Sequence, residues 1–82
     1  MQTIYLDGRQ YASKAELYGA LQQLLSLPAY FGMNADALND CLSERREPLA
    51  LWLASRGEGD VAQAMDTVTA VFEENGFPVR EL

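Results

Sequence analysis

The sequence predicts an α/β fold, a small three-stranded parallel sheet packed with about three helices in the order βααβαβ. Three observations carry the prediction. Short β-branched or apolar segments alternate with longer segments of helical period. The run Leu49-Ala50-Leu51-Trp52-Leu53 is apolar at every position, which suits a central strand covered on both sides. With 82 residues, the chain has room for one core and no second domain, so residues 1–82 are read as a single unit.

Thr3-Ile4-Tyr5-Leu6 alternates and stops at the turn dipeptide Asp7-Gly8, marking a first strand. Ser13-Lys14-Ala15-Glu16 is a capping box. Leu17, Ala20, Leu21, Leu24 and Leu25 then recur at helical spacing until Pro28 prevents extension. Asn34 can cap a second helix running to Ser43, with Ala35, Leu38, Cys41 and Leu42 facing inward. The all-apolar strand follows Pro48, and Trp52 reads as packing. Asp60 can cap a third helix carrying Val61, Ala64, Met65, Val68, Val71 and Phe72 inward, with Asn75-Gly76 as its C-terminal cap. Phe77 to Leu82 forms the last strand, which Pro78 places at an edge.

Composition narrows function. Six Lys and Arg against twelve Asp and Glu give a formal net charge of −6. Direct binding to nucleic acid or to an anionic membrane needs a basic footprint that this chain lacks, so a basic protein is the natural partner. Histidine is absent, which removes imidazole-based catalysis and most zinc sites. The single cysteine, Cys41, reads as an inert buried thiol. The opening residues lack a basic and apolar leader pattern, and the expected compartment is the cytoplasm.

At 100 degrees per residue, Asp36, Asp40 and Glu44 fall at about 0, 40 and 80 degrees on the second helix, while its apolar residues centre near 200 degrees. Like charges one turn apart cost a helix a few tenths of a kcal/mol, so local stability does not favour this stripe. It reads as a solvated face, as a recognition surface, or more remotely as a divalent-cation or acid–base site without the spacing either needs. Just before it, Tyr30-Phe31-Gly32 places two aromatics in a loop, Phe31 as core and Tyr30 as either its cover or a contact. The pair Arg45-Arg46 reads as a solvated helix end.

The segment Leu27-Pro28-Ala29-Tyr30-Phe31-Gly32-Met33-Asn34-Ala35-Asp36-Ala37-Leu38-Asn39-Asp40-Cys41-Leu42 closely resembles the signature of the barstar family of intracellular ribonuclease inhibitors. The resemblance implies a non-enzymatic protein without cofactor or metal. It also implies an immunity or antitoxin role, in which the second helix and its preceding loop plug the basic active site of a secreted or toxin-type ribonuclease, as RNA phosphates would fill it. Tyr30, Gly32, Asn34, Asp36 and Asp40 match family contact positions, with Asp40 as principal anchor, and Glu74 resembles an acidic contact on the last helix. Asn39 stands where the family carries a tryptophan, and Glu44 and Arg45 where it has glycine and another tryptophan, which implies a different partner. The connection Ser55 to Asp60 is too short for an extra small helix found in the family. Two rival readings are an acidic module for a basic partner that is not a nuclease, and an acyl-carrier-like protein, although that class needs an Asp-Ser that is missing here.

Overall fold

The computed structural model describes residues 2–28 and 31–82. Among them the chain runs β1 (Gln2–Asp7), a 3-10 turn (Gly8–Gln10), α1 (Lys14–Leu24), α2 (Ala35–Ser43), β2 (Leu49–Ser55), α3 (Gly59–Glu74) and β3 (Val79–Glu81). The sheet order is β1-β2-β3 and both pairings are parallel. Parallel neighbours cannot be joined by a tight turn, so helices make both crossovers. The expected order βααβαβ and the central place of β2 are what the structure shows, and no element separates β2 from α3 among the described residues. A sheet of this kind removes the acyl-carrier-like reading, which required an all-helical chain. No described helix is long and apolar enough to cross a membrane.

The outer face of the sheet is only partly covered, which corrects the reading of β2 as doubly buried: Ala50 is buried there but Trp52 is exposed. Ile4 and Leu6 of β1 and Leu49, Leu51 and Leu53 of β2 join Leu17, Leu21, Leu38, Leu42, Met65, Val68 and Phe72 in one core. The alternate positions face outward: Tyr5 is 54% exposed and Trp52 39%. Trp52 pairs with Tyr5 on one side and Arg80 on the other, and the Arg80 guanidinium lies 5.3 Å from the centre of the Trp52 ring. The run looked continuous because Ala50 and Trp52 count as apolar, although they occupy the outer half of an ordinary alternation.

Helix ends account for several further differences. Ser13 Oγ accepts from the Glu16 amide at 3.3 Å, as a capping box requires, but the Glu16 carboxylate accepts from the Ala12 amide instead of closing on Ser13. Helix α1 closes before Pro28 can act. Ser26 takes a left-handed φ of 53°, and the Leu27 and Ser26 amides donate back to Gln22 and Gln23, a Schellman closure built on serine. Leu24, expected inward, is 42% exposed, and Tyr18 is buried in its place, tilted against Phe31 with ring centres 6.4 Å apart. Glu58, not Asp60, holds the N-cap position of α3, without a side-chain hydrogen bond. Asp60 lies in the first turn, where its charge complements the helix dipole. At the other end Gly76 (φ 80°) completes a Schellman motif, with amides of Gly76 and Phe77 donating to Glu73 and Phe72 and the two phenyl rings edge to face.

Two contacts tie the strand ends to their neighbours. Arg56 leaves β2 and donates from Nε to Glu81 of β3 at 2.6 Å while its Nη1 reaches Asp66 of α3. Both pairs are well exposed, so each contributes at most about 1 kcal/mol. Gly8 and Gly57 meet backbone to backbone, and a Cβ on Gly8 would lie 2.5 Å from the Gly57 amide nitrogen. Gly8→Ala is therefore expected to cost about 2–3 kcal/mol in urea unfolding. Gly59→Ala, at φ 62° with nothing within 4 Å, should cost only the strain of a left-handed alanine, about 1 kcal/mol. Equal costs would remove the close approach as the cause.

Candidate functional site

Helix α2 is set by its cap and its buried stripe. Asn34 Oδ1 accepts from the Ala37 amide at 2.8 Å, and Asn34 Nδ2 donates to the Gly32 carbonyl at 3.1 Å, so one side chain fixes the first turn and the loop before it. Gly32 gives this cap its room: a Cβ there would sit 3.2 Å from Asn34 Nδ2. Between them Met33 adopts φ 58° and is partly exposed. On the inner side Leu38 and Leu42 are buried in the core, anchoring the helix at the spacing of one turn.

The outward face follows from the same geometry. Asp36, Asp40 and Glu44 are all exposed, with Asp36 in the first turn and Glu44 at the C-cap. The three carboxylates lie along one side, opposite Leu38 and Leu42, as the helical angles predict. Among the described residues, the ion pairs occupy Asp7, Asp66 and Glu81, none of them on this stripe. No three His, Cys, Asp or Glu residues in the described parts gather as a metal ion would need.

The two flanks of α2 differ. Asn39 turns toward α3, where Asn75 Nδ2 donates to Asn39 Oδ1 and to the Val71 carbonyl, both at 2.8 Å. Asn75 is the C-cap of α3, so this bond sets Glu74, the last helical residue and exposed, beside the middle of α2. Of the sequence-selected residues, Gly32, Asn34, Asp36, Asn39, Asp40, Glu44 and Glu74 thus fall on or next to α2, while Tyr30 lies outside the described residues. Asn75 was not selected for this surface. Its asparagine-glycine signal revealed the cap but not a partner 36 positions away.

On the other flank Cys41 is half-buried, not fully inside as expected. It sits about 80 degrees from the Leu38–Leu42 direction, at the edge of the core. Burial pushes its thiol pKa up, and the charges of Glu44 and Asp40 push it further. Arg45, expected as part of a solvated end, is also half-buried and folds back to donate from Nη2 to Gln2 Oε1 at the start of β1.

Two outcomes follow. Asn34→Ala should cost about 1 kcal/mol in urea unfolding, because the first-turn amide loses its acceptor. A thiol with a raised pKa carries less thiolate at any given pH, so alkylation of Cys41 by iodoacetamide should reach half-maximal rate at a higher pH than that of a free cysteine. Glu44→Gln removes one of the two anions and should move that midpoint down. A midpoint at the free-thiol value in the unmodified protein would contradict the cause given.

The sequence matches the family model described as "Barstar (barnase inhibitor)" over residues 1–77. It is also 42% identical over 43 residues to a Bacillus subtilis (strain 168) protein named "Putative ribonuclease inhibitor YrdF". That match takes in 52% of this chain and 47% of the Bacillus protein, about half the length of each. With a family match running from the first strand through the end of α3, and the parallel sheet and capped α2 just described, the chain belongs to the barstar family.

Proposed function

We propose that the protein is a non-enzymatic inhibitor that binds a bacterial ribonuclease with a basic active site and occludes it with α2. The observation that carries this reading is the outward row Asp36, Asp40 and Glu44 on a helix whose opposite side is locked in the core. Family membership and the name of the Bacillus relative support the class of partner. A ribonuclease holds phosphate with preorganised cations. A carboxylate delivered there forms charge-assisted hydrogen bonds in a site shielded from water. Because α2 is pinned by Asn34, Leu38 and Leu42, little ordering entropy is lost when it docks. A net charge of −6 also steers the chain toward a basic enzyme and speeds encounter at low salt.

In this reading Asp40 is the central anchor, Asp36 and Glu44 extend the acidic row, and Glu74 adds charge from the end of α3. Tyr30, Gly32, Asn34 and Asn39 complete the contact set. The nuclease is a secreted or toxin-type enzyme, and the inhibitor acts as the immunity partner in the cytoplasm.

The test immobilises the chain, retains ribonuclease from a lysate of the source organism, and measures RNA cleavage by the eluted enzyme with and without inhibitor. Asp40→Ala should weaken inhibition by at least about 100-fold with the unfolding midpoint nearly unchanged, since the side chain is exposed. Inhibition that is absent in the unmodified chain, or equal in the two proteins, would overturn the proposal.

A further inference from the structure

The two edges of the sheet are finished differently. Strand β3 is three residues long, enters from Pro78, and carries Arg80 and Glu81 exposed, with Glu81 held by Arg56. Short length, proline and charge are devices that keep an edge from pairing with another chain. Strand β1 has none of them over Gln2-Thr3-Ile4-Tyr5-Leu6, which holds no charge, proline or glycine. The Gln2 amide donates to the Pro48 carbonyl at 3.2 Å, so in the parallel ladder the even residues of β1 turn their main-chain groups to β2, and Thr3 and Tyr5 turn theirs away. Among the described residues no strand pairs with β1 on that side, and no hydrogen bond from another segment reaches the main chain of Thr3 or Tyr5. Apolar surface flanks the same edge: Tyr5 is exposed on the outer face, and so is Leu24 of α1, whose carbonyl accepts from Gln2 Nε2 at 3.1 Å.

We propose that β1 is the interface of a symmetric dimer, pairing antiparallel with β1 of a second copy and joining the two sheets into one continuous sheet. The inference does not depend on the inhibitor reading. Its register follows from the outward groups. An antiparallel ladder exchanges both hydrogen bonds between residues that each turn N–H and C=O toward the partner. A twofold axis at Ile4 sets Thr3 of each copy against Tyr5 of the other, so every outward group between Gln2 and Leu6 is satisfied at once. The same register lays a threonine beside each tyrosine ring, a favourable cross-strand pair of β-branched and aromatic side chains. An axis at Tyr5 would bring in Asp7, where the ladder with β2 already shifts and the carboxylate is bound to Arg9. Charge points to the same edge. At a net charge of −6 two copies repel over much of their surface, whereas here uncharged side chains meet and the neighbouring Asp7 is paired with Arg9. A strand edge about 20 Å long buries less than the roughly 800 Å² per partner of a stable complex, so the dimer is weak and populates at high concentration.

Sedimentation velocity from about 20 µM to about 1 mM should show the coefficient rise from the monomer value toward that of a dimer, as mass action requires. In a mixture of ¹³C-labelled and unlabelled chains, an isotope-filtered NOE should join the Ile4 Hα protons of the two copies, whose Cα atoms stand about 4.5 Å apart as a non-hydrogen-bonded pair. Tyr5→Pro deletes an N–H that nothing within the chain uses and should raise the dissociation constant at least about tenfold. Thr3→Lys puts a charge on the edge and should do the same at least about tenfold. Ala70→Lys, an equal change of charge at an exposed position of α3, should not weaken the dimer. Reducing net negative charge favours association by itself, so the contrast between the two lysines separates the edge from overall charge. A chain that stays monomeric throughout, including one whose β1 takes up only a foreign extended peptide, would overturn the proposal. A dimer unaffected by Thr3→Lys, or one whose intermolecular NOEs join other segments, would overturn it as well.

Discussion

The burial of Leu38 and Leu42 is the constraint on which the acidic surface depends. A nine-residue helix is too short to hold its shape in water by itself, so its direction is set by what it packs against. Once those two leucines enter the core, every other side chain of α2 has a fixed heading. The carboxylates go outward, Asn39 meets the end of α3, and Cys41 meets the loop that follows α1. A surface of this kind is specified by apolar contacts inside the core.

Charge and rigidity then work together. Clustered carboxylates repel each other mildly in the free chain, a cost that a cation set against them would remove. The cap at Asn34 and the bond between Asn39 and Asn75 keep α2 and the tip of α3 in one arrangement, so the backbone positions that carry the negative groups form a fixed pattern. In recognition of a preorganised site, a fixed pattern is what converts attraction into selectivity.

Much of this was legible in the residues. Asn34 before a helical run, the 3.6-residue spacing of Leu38 and Leu42, Ser13 as a cap and the Schellman signal at Asn75-Gly76 are local codes that the structure bears out, whereas the cap expected at Asp60 lies at Glu58. Hidden features were of three kinds. The open part of the outer sheet face was masked because Trp52 scores as apolar while being 39% exposed there. The Asn39–Asn75 bond and the fold-back of Arg45 to Gln2 join segments distant in the chain, and no single window of sequence contains both partners. Serine in the left-handed position at residue 26 escaped for a third reason, since glycine is the usual marker of that closure.

The open face of the sheet has an optical consequence. The only tryptophan of the chain, Trp52, sits beneath Arg80 of β3 on the side of the sheet turned away from the helices. Its indole emission is a gauge of whether the three-residue edge strand is seated, and it is largely blind to events on α2. A fluorophore placed by the fold in this way separates the coming and going of the C-terminal strand from occupancy of the opposite face within one molecule.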